Sequence, residues 1–549
     1  MRSLKRSVCA VLVGVATCLA PLGLARAANS GFVARSGRYL ALNGKKFYVN
    51  GANQYYLWFK PQAMVDEIAQ DAHALGLSVI RTWGFCNGTS ADGYCFQPQP
   101  GVYDESTFRK LDYLIYKANQ LDIRLVITLA NNWDDFGGMN QYVAWSPTAS
   151  AHDEFYTDAY SRQLYKDYVR TVLMRINTYT GIEYRNDPTI MMWELANEPR
   201  CVTDPTGNTV LAWVTEMSAY IKSLDAHHLV STGEEGWYTN KGSDWRHNGL
   251  EGVDFLRNSQ VATVDVASFH LYPKRNAMTE SEALAWIDEH AADAHTAIGK
   301  PVLLGEFGWE APREVVGDFS TGAETWKVDF GYRTTPPMRV TSPSKNGNGA
   351  ISYNTPTSKL QRKATAAGER WLPGNGFDFR SYQTVTGWVY IPSSAPNDMK
   401  ADLYTKSGSG WTWRDGADVP LTGGAWTGVS ITASAIAQPD QVKSVGIRVF
   451  NGNTPYDGLI YYDLVTGQST TPGSTMADRN RIYTDWYNRL NAVDADAAVF
   501  WVLDGHQTDT TFYPDYDEFG VYYPEDSATS PVILNYSNIV KSKSTAPAP

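Results

Sequence analysis

The chain has 549 residues and a formal charge of −11, with no cluster of lysine and arginine. That length favours more than one domain, and the acidic balance argues against nucleic acid or an anionic membrane surface as a partner. Aromatic residues reach 13%, with 18 Trp and 33 Tyr; these flat, amphipathic side chains suit a core or a sugar-stacking surface equally, so composition does not choose.

The N-terminus places Arg2, Lys5 and Arg6 before an apolar stretch that ends in Ala25-Arg26-Ala27. This is the order of a secretory signal peptide cut after Ala27. Its removal, with four basic and no acidic residues, leaves a charge of about −15. An uncleaved anchor is the alternative, and Thr17 before Cys18 fits a lipoprotein poorly. No later stretch is long and apolar enough to span a bilayer. The mature chain keeps Cys86, Cys95 and Cys201. Export permits a disulfide. Cys86 and Cys95 share one Gly-rich loop and are close enough to pair, leaving Cys201 over; Cys201 with either of the others stays open. The spacing does not suit zinc.

Short apolar runs rich in β-branched and aromatic residues recur at 47–53, 77–83, 124–131, 189–197, 229–236, 264–272, 301–308 and 497–505. Helical periodicity fills the gaps. Residues 63–76 put Val65, Ile68, Ala69, Ala72 and Leu75 on one face and stop at Gly76. Residues 104–121 do the same with Phe108, Leu111, Leu114, Ile115 and Ala118, and similar patterns occupy 153–180, 210–225, 280–298, 478–494 and 531–543. The helix between the fifth and sixth runs is short and poorly marked. Strands alternating with helices predict a parallel sheet, and eight such units predict an α/β fold of the (β/α)8 TIM-barrel class. An open doubly wound sheet is the alternative, but no run is followed by a Gly-rich dinucleotide fingerprint.

One gap is too long for a single helix. From 311 to 475 come Gly-, Ser- and Thr-rich segments carrying "TVTGWVYIPS", "MKADLYTKSG", "AWTGVSITAS", "VKSVGIRVF" and "LIYYDLVTG", closed by a linker-like "GQSTTPGST". Regular short strands with turn residues predict an all-β sandwich. The expected organisation is a signal peptide over 1–27, a discontinuous barrel over 28–310 and 476–549, and an inserted β-sandwich over 311–475.

Barrel enzymes hold their chemistry where strands end. At the ends of the runs stand Arg81 and Trp83, Asn131 and Trp133, Asn197 and Glu198, Glu234 and Trp237, His270 and Tyr272, Glu306 and Trp309, and Trp501 and Asp504. A barrel needs no such polar and aromatic rim to fold. Glu198 is followed by Pro199, which stops strand pairing, and Glu306 sits between glycines in "LLGEFG". Two carboxylates from different strands facing one cavity are what glycoside hydrolysis requires: one protonated to serve the leaving oxygen, one ionised.

The motifs "WELANEP" and "LLGEFG" resemble the acid/base and nucleophile motifs of glycoside hydrolase family 5. "RTW" at 81–83, "FHLYP" at 269–273 and "FWVL" at 500–503 fall where that family has other functional positions, and "NNWDDFGGMNQYVAW" at 131–145 resembles the loop of its endo-β-1,4-mannanase branch. The resemblance covers about 30–310 and 477–540. It implies Glu198 as general acid/base and Glu306 as nucleophile. It implies Asn197 on the 2-hydroxyl of the −1 sugar, Arg81 on the nucleophile, His270 and Tyr272 orienting the catalytic groups, and Trp501 as the floor of that subsite. Trp83, Trp133 and Trp237 become further walls. Glu194 reads as a barrel-interior polar residue, Asp134 and Asp135 as a solvated loop at the cleft edge. Of Glu234 and Glu235, one is expected on sugar hydroxyls and the other in solvent.

The implied activity is a secreted retaining endo-β-1,4-mannanase acting on mannan, glucomannan or galactomannan, a monomer with no cofactor and no metal in its site. A cellulase-type endoglucanase, an exo-acting or transglycosylating enzyme and a non-catalytic polysaccharide-binding protein are the alternatives. Few of the simpler family members carry a domain of this size between strand seven and the next helix. Its "LIYYDLV" resembles the closing strand of jelly-roll carbohydrate-binding modules, and Trp411, Trp413 and Trp426 form either a sugar platform or core.

Overall fold

The computed structural model describes residues 31–549 apart from 312, 318, 320–325, 332–336, 346–349, 357–365, 372–378, 381, 451, 453, 455, 470–472, 508–510, 514 and 527. The leader expected over 1–27 lies outside the described residues. No described helix is long and apolar enough to cross a membrane.

Val49–Asn53, Val79–Trp83, Arg124–Thr128, Ile190–Glu194, Leu229–Ser231, Ala267–Leu271, Val302–Phe307 and Ala497–Phe500 form one parallel sheet. Taken as strands one to eight, they pair in the order five, four, three, two, one, eight, seven, six. A parallel bridge from Ser231 to Val266 joins the two ends, so the sheet closes into a ring. The open doubly wound alternative is thereby excluded. Every residue of these strands is buried. Burial on both faces is why the runs read as continuously apolar rather than alternating.

The helices begin where side chains satisfy their first amides. Asp104 accepts from Thr107 N ahead of Glu105–Gln120, and Thr279 and Glu282 form a capping box ahead of Glu280–Ala292. Two expected helices are shorter than their periodicity. Within 153–180 a 3-10 turn at His152–Tyr156 is followed by Ala159–Leu173, because Asp158 caps a fresh start on Ser161 N. Within 280–298 the α-helix ends at Ala292 and continues as a π turn to Ile298, closed by Gly299 at φ 73°. The poorly marked helix between strands five and six is the six-residue Phe255–Gln260.

An antiparallel trio at Ala34–Ser36, Tyr39–Leu42 and Lys45–Lys46 was not legible in the sequence. Val33 and Leu40 from it pack with Val49, Val79, Leu229 and Ala497, the first residues of four barrel strands. This plug seals the end of the barrel opposite the strand termini. Burying one such aliphatic side chain contributes about 1.5–3 kcal/mol.

Among the described residues, two antiparallel sheets of six strands each lie between strand seven and the helix Met476–Ala492. One sheet holds Met338–Val340, Ala350–Pro356, Asp457–Ser469, Tyr382–Tyr390 and Trp426–Thr432, with Arg313–Gly317 also on Asp457–Ser469. The other holds Trp326–Gly331, Ala366–Trp371, Val442–Phe450, Lys400–Ser407 and Thr412–Asp415, with Val419–Pro420 on Lys400–Ser407. Val385, Val389, Val429 and Ile431 of the first meet Ala401, Leu403, Val445 and Ile447 of the second in a separate core. The segment read as a linker departs from expectation: 467–469 continue the long closing strand. Thr475 and Asp478 then form the capping box that restarts the barrel helix. Trp309 Nε1 donates to Gly473 O at 2.6 Å, and Trp388 and Leu464 pack with Tyr522, fastening the sandwich to the barrel.

Candidate active site

Strand four explains its own odd ending. Glu194 is buried in the barrel interior, where its Oε2 accepts from Arg81 Nε at 2.7 Å and Thr128 Oγ1 at 2.8 Å. Past the strand, Asn197 bridges to Asn131, and Glu198 N donates to Gly233 O. Glu198 itself stands at φ 51°, a conformation costing a non-glycine residue of order 1–3 kcal/mol. The two neighbouring strand ends hold it there.

Strand seven places Glu306 by a different device. Its register against strand six shifts between Leu304 and Glu306. Such an irregularity re-aims a side chain. The residue skipped is Gly305, where a Cβ would stand 3.1 Å from His270 Nε2. Glycine there admits the imidazole beside the carboxylate.

Arg81 lies at the centre. With 0% of its side chain exposed, it donates from Nη1 to Glu306 Oε1 at 2.6 Å and Asn53 Oδ1 at 2.9 Å, and from Nη2 to Asn197 Oδ1 at 2.9 Å. Tyr272 OH donates to Glu306 Oε2 at 2.7 Å. His270 Nδ1 is 2.8 Å from Glu198 Oε1 and 3.8 Å from Glu306 Oε2. Trp133 Nε1 donates to Glu198 Oε2 at 2.7 Å. One oxygen from each carboxyl and the imidazole nitrogen all lie within 4.8 Å of one another.

These groups open into a cavity of about 470 Å³ lined also by Trp83, Trp133, Asn197, Tyr272 and Trp501. Trp501 stacks on Tyr55 at 5.6 Å with a 6° interplanar angle, and its Nε1 donates to Asp517 Oδ2 at 2.6 Å. Trp133 is 40% exposed and forms the open lip. Asp134 and Asp135 are exposed, with Asp135 at the rim. Among the described residues, none from the inserted sandwich lines the cavity.

Two expectations are corrected, and one open choice is narrowed. Trp237 is not a wall: it is 1% exposed, donates to Glu235 Oε2, and packs on Trp245 and Trp286. The turn at Gly236, φ 97°, sends it behind the strand end. Neither Glu234 nor Glu235 is solvated, since Glu234 accepts from Thr232 and Asn258, and Arg200 grips both oxygens of Glu235. Trp411, Trp413 and Trp426 make no common platform, because Trp413 stacks on Tyr404 in one sheet and Trp426 packs on Tyr390 in the other. Cys86 pairs with Cys95, and Cys201 is free and buried.

Sequence reasoning missed Asn53, Tyr55, Arg200 and Asp517. Asn53 ends strand one and could have been found as a strand-end amide. Arg200 directly follows the Glu198-Pro199 pair; it holds Glu251 as well as Glu235, and its guanidinium stands 5.0 Å from the Trp133 ring centre. Asp517 carries no local signal, because only the return of its loop brings it to Trp501.

Burial pushes the Glu198 carboxyl up, against the Arg200 charge and the Trp133 hydrogen bond. Burial pushes Glu306 up as well, opposed by the His270 and Arg81 charges and by the Tyr272 hydrogen bond. Direct Arg81 and Tyr272 donors favour ionised Glu306. Glu198 has no cation in contact. Burial holds the His270 imidazole below its ordinary range, opposed by the nearby Glu306 charge. Glu198, His270 and Glu306 have the spacing of a cation site, but the Arg81 guanidinium in contact with Glu306 opposes a second positive charge there.

A family model described as GH family 5 beta-mannosidase-like matches residues 30–377, and one described as mannanase, galactose-binding domain-like matches 317–463. Mannan endo-1,4-beta-mannosidase 3 of Arabidopsis thaliana is 42% identical over 310 residues, covering 52% of this chain and 74% of its own. The solved endo-beta-1,4-mannanase of Thermotoga petrophila is 28% identical with a TM-score of 0.56, covering 91% of this chain and 78% of its own. The endo-1,4-beta-mannanase of Rhizomucor miehei, at 24% identity and a TM-score of 0.58 over 93% of this chain and 100% of its own, shares the fold.

Proposed function

The chain belongs to the GH family 5 beta-mannosidase-like family, and on that premise we propose that it is a secreted retaining endo-β-1,4-mannanase. The observation that carries this reading is the convergence of Glu198 and Glu306, an oxygen of each within 4.8 Å of the other. Retaining glycosidases hold their carboxyls about 5–5.5 Å apart, and inverting ones leave about 6.5–9.5 Å for a water.

In the first step Glu306 attacks the anomeric carbon of the −1 mannose and forms a glycosyl ester, while Glu198 gives its proton to the departing glycosidic oxygen. In the second, Glu198 takes a proton from water as that water's oxygen bonds to the anomeric carbon, and Glu306 leaves as carboxylate. Arg81 and Tyr272 hold the nucleophile ionised and fixed. Asn197, braced by Arg81 and by Asn131, faces the sugar's 2-hydroxyl. Trp501 forms the floor, and Trp83 and Trp133 flank the chain. Mannan is the substrate the names of the relatives suggest, and glucomannan and galactomannan share its β-1,4-linked mannose units. The basic, apolar N-terminus and the Cys86–Cys95 disulfide support export.

The test is reducing-end release from galactomannan and from carboxymethylcellulose by the wild type, Glu198→Ala and Glu306→Ala. Activity on the mannan alone, lost in both variants, is expected. Cleavage of the glucan alone would sink the substrate assignment, and near-full activity in either variant would sink the site.

A further inference from the structure

Two adjacent cations follow the end of strand six, and only one of them is held by a close polar contact. Lys274 and Arg275 lie in the turn after Tyr272, which Asn276 N closes by donating to Tyr272 O at 2.9 Å. Lys274 Nζ donates to Ser474 Oγ and stands 4.6 Å from the Trp309 ring centre. Arg275 instead lines the cleft with Glu198, Glu306 and Trp501, and its side chain is 55% exposed. Its polar contacts are long. Nε is 3.5 Å from Glu310 Oε1, a carboxylate whose other oxygen lies 3.5 Å from Lys274 Nζ, and Nη2 donates to Asp517 O at 3.5 Å.

The guanidinium is nevertheless supported. It lies 4.8 Å from the Phe519 ring centre. Phe519 packs on Tyr272 at 5.2 Å, and Tyr272 holds Glu306. Gly308 makes room for the phenyl ring, since a Cβ there would stand 2.6 Å from Phe519 Cδ1. A planar cation resting on an aromatic face keeps its orientation and leaves the N–H groups on its edge available to a ligand. On a neutral glycan the acceptors are hydroxyl and ring oxygens, and the fork of a guanidinium matches two neighbouring oxygens. Burial raises the Glu198 carboxyl, and the Arg275 charge is among those that oppose the rise, so this cation is within electrostatic reach of the proton donor.

We propose that Arg275 is a specificity-determining residue of the cleft, whose guanidinium, laid on Phe519, clamps two vicinal hydroxyls of the bound sugar chain. This role rests on the glycosidase activity proposed for the cleft. It adds a cationic donor from the turn after strand six to the Trp walls and the Asn197 amide.

The experiment is steady-state kinetics on linear mannopentaose for the wild type, Arg275→Met and Arg275→Lys. Methionine keeps an apolar stem over Phe519 and removes the donors. KM is expected to rise about tenfold or more with kcat little changed, as for the loss of a hydrogen bond to a charged group made equally in the ground and transition states. Arg275→Lys keeps the charge without the fork, so it is expected to recover part of the affinity, and it carries the test if Arg275→Met fails to fold. The loss in Arg275→Met is expected to be larger on deacetylated glucomannan than on the same polymer with its hydroxyls acetylated. The alkaline limb of kcat/KM is expected to move upward in Arg275→Met and to stay in place in Arg275→Lys. Both variants keep Arg200, Arg81, His270, Glu235 and Glu306 around Glu198. A fall in kcat at unchanged KM would make Arg275 a prop for Phe519 and Tyr272 and overturn the proposal, as would kinetics equal to the wild type or equal losses on the two polymers. A wild type inert on every mannan would instead overturn the activity assigned to the cleft, and this role with it.

Discussion

Trp133, on the exposed lip of the cleft, donates its indole N–H to Glu198 Oε2 at 2.7 Å while the Arg200 guanidinium stands over its ring. One aromatic side chain thus touches the proposed acid/base and transmits the charge network beneath it. Removing the N–H with Trp133→Phe takes away a hydrogen bond that favours the ionised carboxylate. The Glu198 carboxyl then loses its proton at higher pH. As general acid it must be protonated, so the alkaline limb of kcat/KM is expected to move upward. A profile that stays in place while KM alone rises would reduce Trp133 to a wall.

Glu198 and Glu306 are distinguished by what azide does in their absence. General acid/base groups contribute roughly 10²–10⁴-fold, and each alanine variant should lose at least that much. In Glu198→Ala the glycosyl ester still forms from an activated substrate, and azide should capture it with retained configuration. In Glu306→Ala azide should attack directly and give the inverted product. NMR of the two glycosyl azides checks both roles at once. The same configuration from both variants would contradict the assignment.

Arg81 is buried with three partners besides Glu306: Glu194, Asn53 and Asn197. Arg81→Met leaves two buried carboxylates without their cation. Breaking such a pair from one side costs about 3–5 kcal/mol, and denaturant unfolding should show a loss of that size. Arg81→Lys keeps the charge but not the fork, so it is expected to recover part of the stability and little of the activity.

Glu234 is buried on hydrogen bonds from Thr232 and Asn258, and burial raises its carboxyl to about 8. In the unfolded chain it titrates near the ordinary glutamate value. Between those two values the folded state holds a proton that the unfolded state has released. Stability supplied by the neutral form is therefore lost as pH rises from about 4.5 to about 8, at up to roughly 1.4 kcal/mol per unit for this one proton. Glu234→Gln is expected to flatten that slope, read from unfolding midpoints across the window. An unchanged slope would show that other groups carry it.

The eight strands and most of the helices were legible because buried parallel strands and amphipathic helices impose short-range periods that need no partner to be read. The sandwich was legible in kind, and five of its strands in place, for the same reason. The chain also placed Glu198, Glu306, Arg81, His270, Tyr272 and Trp501 at strand ends, since those residues lie within or directly after the C-terminal halves of their apolar runs. Tertiary structure alone decided the rest. Side-chain direction past a strand end depends on the turn, which is why Gly236 removed Trp237 from the cleft where φ 51° at Glu198 kept that carboxyl in. Asp517 reaches Trp501 only because a long loop returns to the barrel. The plug under the barrel exists only through packing against distant strands, and no local period in the chain records a contact made across hundreds of residues.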